Sequence, residues 1–141
     1  MARDFEGKCW SCEPPGHTNW GKKNDAAAWG ITLLDCRISA PGLSTTQGEV
    51  HSGGNSGYQA INLAYLLGAT RIILIGFDMR WTGGKAHWFG NHPEGLTNQE
   101  PDRYIKAFRT IKPDKYGLEI INCSRATALD AFPRRNLEDV L

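Results

Sequence analysis

The stretch "HSGGNSGYQAINLAYLLGATRIILIGF", His51 to Phe77, decides how the chain is read. A glycine-rich approach leads into a helix. From Tyr58 onward the apolar residues Ala60, Ile61, Leu63, Ala64, Leu66 and Leu67 cover most of a helical circumference, and Gly68 stands where a C-terminal glycine stops a helix. This spacing predicts a mostly buried helix. Ser56 and Gln59 have the S-x-x-Q spacing of a capping box, which sets the expected start where the glycines end. The run "RIILIGF", Arg71 to Phe77, is β-branched and bounded by turns, the pattern of a strand buried on both faces of a parallel sheet. Loop, helix and strand together make the second half of a βαβ unit.

A similar unit follows. Pro101 opens "PDRYIKAFRTIK", with Tyr104, Ile105, Phe108 and Ile111 on one face, and "GLEIINC" supplies a strand. Upstream, "DAAAWGITLLDC" predicts a helical turn from Asp25 to Trp29, closed by Gly30, and a strand at Ile31 to Asp35. Between the two lies "RISAPGLSTTQGEVHSGGNSG", a long polar stretch with no clear core face. Residues 1–24 show neither helical nor strand periodicity and are expected to form an irregular arm ahead of an α/β domain over 25–141. The alternation of strand and helix predicts a Rossmann-like, mostly parallel sheet with flanking helices and ligands at the carboxyl ends of the strands. Only three strands are legible, which is few for a doubly wound sheet. Further strands in the arm, a partner chain such as a second copy in a homodimer, or a shortened form of the fold would each account for this.

Composition narrows the function. A chain of 141 residues fits one domain with its own core, and its formal charge of +1 lacks the field of a protein that coats nucleic acid or an anionic membrane. No apolar run is long enough to span a bilayer, and the first residues lack the apolar core of a signal peptide, so the expectation is a cytoplasmic protein. The four cysteines, Cys9, Cys12, Cys36 and Cys123, read as reduced thiols. Cys9 and Cys12 could begin a zinc site with His17 or Cys36, but no second CxxC accompanies them, and no metal site is assigned.

Three clusters carry candidate chemistry. In the glycine loop, Asn55 and Ser56 can hydrogen-bond a ligand while the N–H groups of Gly54, Asn55, Ser56 and Gly57 face a phosphate or carboxylate. The spacing is neither that of a P-loop nor that of a dinucleotide fingerprint, which argues against triphosphate hydrolysis and nicotinamide chemistry. In "IGFDMRW", Gly76 permits close approach to the strand end. Asp78 beyond it can accept from ribose hydroxyls, hold a divalent metal such as magnesium with a nucleotide, or act as a base. In "GGKAHWFGNHPEGL", His87 and His92 are candidate proton carriers, Trp88 or Phe89 can stack on a base or sugar, and the glycines give the segment the freedom of a lid. Downstream, Asn122, Ser124, Arg125 and Thr127 end a strand and can contact a polar or anionic ligand.

The run "GNSGYQAINLAYLLGATRIILIGFDM" with "HWFGNHP" and "INCSRATALDAFPR" resembles uncharacterised proteins of tailed phages and prophages over about residues 50–135. Over about residues 50–80 it resembles, more distantly, a Rossmann-like superfamily. That superfamily contains the glycosyltransferase family 42 sialyltransferases, the motility-associated glycosyltransferases and the archaeal 6-hydroxymethylpterin pyrophosphokinase. The resemblance implies nucleotide contacts at Asn55, Ser56, Gly57, Gly76 and Asp78 and a general base at His87 or His92. It also implies a first strand followed by an asparagine- or glycine-bearing loop, which residues 1–24 do not display. The expected function is binding of a nucleotide or nucleotide-activated substrate, with a glycosyl-, nucleotidyl- or pyrophosphoryl-type transfer as the reaction. The alternatives are a nucleotide binder without turnover, such as one sequestering a host defence signal, and an assembly partner with a vestigial pocket.

Overall fold

The computed structural model describes residues 6–13, 26, 28–81 and 101–141. The fold is α/β with short parallel sheets. Strands β1 (Cys9–Glu13), β2 (Ile31–Arg37) and β3 (Glu49–His51) form one sheet in that order, and β4 (Arg71–Leu74) and β5 (Glu119–Asn122) form a second; every pairing is parallel. Helix α1 (Ser56–Leu66) joins β3 to β4, and α2 (Pro101–Phe108) precedes β5. Arg134 makes a parallel bridge beside Asn122, so the chain returns along the outer edge of β5. Among the described residues β1 and β4 carry no strand pairing to one another, so the two sheets are separate.

Two expectations about irregular segments are corrected. Residues 9–13, placed in the irregular arm, are strand β1, with Cys9 opposite Ile31 and Glu13 opposite Asp35. A strand takes its stability from the neighbour it pairs with, so a five-residue segment lacking its own apolar pattern can still be ordered by an apolar one such as "ITLLDC". The polar stretch 37–57 contains β3 and buries Leu43, Ser44 and Val50. Among the described residues there are thus five strands in two sheets, where three are legible in the sequence.

The other elements follow their sequence signals closely. Ala26 and Ala28 are helical, Trp29 N–H donates to Ala26 O at 3.1 Å, and Gly30 leaves the turn with φ 69° before β2 starts. Gly68, at φ 93°, follows the last turn of α1, where its N–H donates to Tyr65 O at 2.9 Å. Helix α1 is less enclosed than predicted: Tyr58, Ile61 and Asn62 are buried and most of its other positions are half-buried or exposed. Strand β4 also ends early, at Leu74, and is exposed at Arg71, because a two-stranded sheet covers little of either face.

The core is built from both halves. Leu43, Tyr58, Ile61, Leu74, Phe108, Ile111, Leu118, Ile120, Leu129 and Phe132 form one buried cluster. Phe108 sits in its middle, fully buried, with its ring 5.5 Å from that of Tyr58, 5.9 Å from Phe77 and 6.3 Å from Phe132. Burying one such ring contributes roughly 1.5–3 kcal/mol. Asn62, also fully buried, ties α1 to the preceding segment. Its Oδ1 accepts from Ser44 N at 2.8 Å and His51 N at 2.9 Å, and its Nδ2 donates to Ser44 O at 3.0 Å.

Candidate functional site

The turn between β3 and α1 is held by its own side chains. Ser52 Oγ accepts from Gly54 N at 3.1 Å and from Gln59 Nε2 at 3.3 Å. Gly53 and Gly54 have φ of 52° and 80°, and a Cβ on Gly53 would stand 2.2 Å from Tyr58 Cδ2, so only glycine fits there. The helix cap is Asn55 and not the predicted Ser56–Gln59 box: the Asn55 backbone is extended and its Oδ1 accepts from Tyr58 N at 2.9 Å. Gln59, which the box would have sent back to the cap, instead joins Ser52 to the thiols of Cys12 and Cys36. The first helical residues, Ser56 and Gly57, have N–H groups with no acceptor among the described residues.

The end of β4 is packed against this turn. A Cβ on Gly57 would lie 2.7 Å from Phe77 Cε1, so the Phe77 ring rests directly on the first turn of α1. The backbone at Phe77 is fixed from the other side: its N–H donates to Ser124 Oγ at 2.8 Å, and its carbonyl accepts from Thr127 Oγ1 at 2.6 Å. Asp78 O accepts from Ala128 N at 2.8 Å, while the Asp78 residue is exposed. Gly76 has φ 76°, and Met79, at φ 46°, is the one non-glycine residue with positive φ among those described. A left-handed residue of that kind costs about 1–3 kcal/mol and persists only where surrounding bonds hold it.

The predicted residues divide accordingly. Asn55, Ser56, Gly57, Gly76 and Asp78 lie on two adjoining strand-end turns. Asn122 and Ser124 are buried and engaged with the protein: Asn122 Nδ2 donates to Thr127 Oγ1 at 3.2 Å and Leu129 O at 3.3 Å, and its Oδ1 accepts from Ser124 N at 3.0 Å. Their bonds hold the 124–129 turn that supports Phe77. Arg125 is exposed, and its carbonyl accepts from Arg134 at 3.1 Å. His87, Trp88 and His92 lie outside the described residues.

A cavity of about 280 Å³ opens on the other flank of the glycine turn, lined by residues 38–41, Gly53, Gly54, Tyr58 and the α2-side residues Arg103, Ala107 and Thr110. Of the predicted residues it takes in Gly54 alone; Asp78 does not line it. Nothing in the sequence reading pointed to Arg103, whose place on the exposed side of α2 marks it as a solvated charge until the loop opposite is known.

Of the candidate zinc ligands, Cys9, Cys12 and Cys36 are described and His17 lies outside the described residues. Residues three apart on a strand point to opposite faces, so Cys9 and Cys12 do not present two thiols to one ion. Cys12 instead donates to Gln59 Oε1 at 2.9 Å. Among the described residues no group of three or more His, Cys, Asp or Glu could hold a metal ion, every buried side-chain N or O atom has a partner, and no helix is long and apolar enough to cross a membrane. No protein-family model, curated protein or solved structure matches the chain.

Proposed function

We propose that the protein binds a nucleotide-type, phosphate-bearing ligand where the first turn of α1 meets the end of β4, and that group transfer from that ligand is its reaction. One observation carries the reading: the N–H groups of Ser56 and Gly57, which find no acceptor among the described residues, open beside a strand end that presents exposed Asp78, with the Phe77 ring packed between the two turns. Helix-start amides favour an anion, and an acidic residue just past a strand's carboxyl end suits ribose hydroxyls. The strained Met79 next to Asp78 supports the same assignment. A divalent ion, if the ligand brings one, would be shared between Asp78 and the ligand's phosphates, since no protein cluster among the described residues would enclose it. His87 or His92 would supply the proton transfer.

Calorimetry against CMP, ATP, GTP, UDP-sugars and CMP-sialic acid, with and without magnesium, tests this. Binding of at least one, weakened about tenfold or more by Asp78→Asn, is the expected result. Silence from the whole panel overturns it. Mass spectrometry of the recovered ligand then separates transfer from simple retention.

A further inference from the structure

The cavity on the α2 flank of the glycine turn has a chemistry of its own. Ile38, Ala40, Pro41 and Ala107 give it an apolar wall. The hydroxyls that line it from within are occupied by the protein: Tyr58 Oη donates to Gly42 O at 2.7 Å, and Thr110 Oγ1 donates to Ala107 O at 2.7 Å while accepting from Gly42 N at 2.9 Å. The charged group in the lining is Arg103. Arg103 already engages the protein, but a guanidinium carries five donors in a planar fork and can serve an anion as well. At about 280 Å³ the space lies just below the range of drug-sized pockets, which limits the guest to a small molecule.

We propose that this cavity is a second binding site, for a compact organic anion: a carboxylate or phosphate monoester whose apolar body lies on Ile38, Ala40, Pro41 and Ala107 and whose anionic head meets Arg103. The site is independent of the nucleotide reading, since it shares with it the glycine turn but neither Asp78 nor the Ser56 and Gly57 amides.

The test is an amide NMR titration of the full chain with phenyl phosphate, benzoate and, as the neutral control, benzyl alcohol. The expected result is saturable shifts at Ile38, Ser39, Ala40, Gly53 and Gly54 with one or both anions and not with the alcohol, the stronger anion identifying the head group. Arg103→Gln should weaken that binding about tenfold or more, the worth of one charge-assisted hydrogen bond. Ser39→Trp, a change at an exposed residue, should block the cavity and abolish the shifts in a chain whose spectrum is otherwise intact. Absence of shifts at these amides, equal response to the alcohol, or indifference to both substitutions overturns the proposal. Shifts confined to Ser56, Gly57 and Phe77 to Met79 would also overturn it while leaving the nucleotide site standing.

Discussion

Asn62 and Asn122 are both fully buried and each has a partner for both of its side-chain polar atoms, yet they do different jobs. Asn62 reaches segments 18 and 11 residues away and fastens the polar connection before β3 to α1. Asn122 reaches at most seven residues along its own chain and shapes a local turn, whose Ser124 and Thr127 then grip Phe77 some 47 and 50 residues distant. The first stabilises the fold directly; the second works by holding a turn that holds the candidate site. A buried asparagine is therefore no sign of a ligand by itself, and its partners' sequence separation tells which kind of order it creates.

The largest expected effect is that of Asn62→Ala. It strands two backbone N–H donors, of Ser44 and His51, inside the protein, and it opens a small void, for a loss of roughly 3–5 kcal/mol by urea denaturation. Asn122→Ala leaves Ser124 N and Leu129 O without their partner and should cost less, roughly 2–3 kcal/mol. The sharper distinction is local. Hydrogen exchange at the Phe77 amide should speed up in Asn122→Ala beyond what the change in global stability explains, and in Asn62→Ala it should follow global stability alone. Equal local effects in the two variants would dissolve the contrast.

Much of this was legible in the sequence and some was not, for identifiable reasons. The α1–β4 unit and the α2 face of Ile105 and Phe108 announce themselves by periodicity because each buries a stripe of its own. Strands β1 and β3 do not, since "CWSCE" and "EVH" are ordered by pairing with β2. Asn62 lies hidden in an apolar helix pattern, where nothing local shows that its partners come from the connection before β3. The cap was misplaced by one residue because Asn55 and Ser56 are both good capping residues; the competition is settled by Gln59, which is drawn away to Ser52 and the thiols. For the candidate site, the sequence brought Gly57 and Asp78 to neighbouring turns but could not show that Phe77 would lie between them.

A third asparagine extends the comparison to the protein surface. Asn55 is half-buried and bonded to a single helix amide, so Asn55→Ala should cost only about 1 kcal/mol, and Asn55→Asp should recover it by placing a negative charge at the helix start. The same Asp substitution opposes an incoming phosphate. Stability retained with nucleotide binding lost is the pairing expected if the α1 opening is an anion site. Stability and binding changing together would make Asn55 a cap and nothing more.

The smallest effect belongs to the thiol beneath the glycine turn. Burial, and then the neighbouring Cys36 thiol, push Cys12 up to about 11 from its ordinary value of 9.0. The protonated form is thereby favoured in the folded chain, so this contribution to stability is intact below about pH 9 and fades as pH rises towards 11. Alkylation, which needs the thiolate, should be slower at Cys12 in the folded protein at pH 8 than in urea, and its rate should still be climbing at pH 10. The geometry links this chemistry to the turn above: Cys12 Sγ donates to Gln59 Oε1 at 2.9 Å, and the same amide's Nε2 reaches Ser52 Oγ at 3.3 Å, the atom that holds Gly54 N–H. An alkyl group on Cys12 occupies the space of Gln59, so the alkylated protein should show a shifted Gly54 amide resonance while Asn122 and the β5 turn stay unchanged. A Gly54 resonance indifferent to the modification would show that Ser52 holds the turn without help from Gln59.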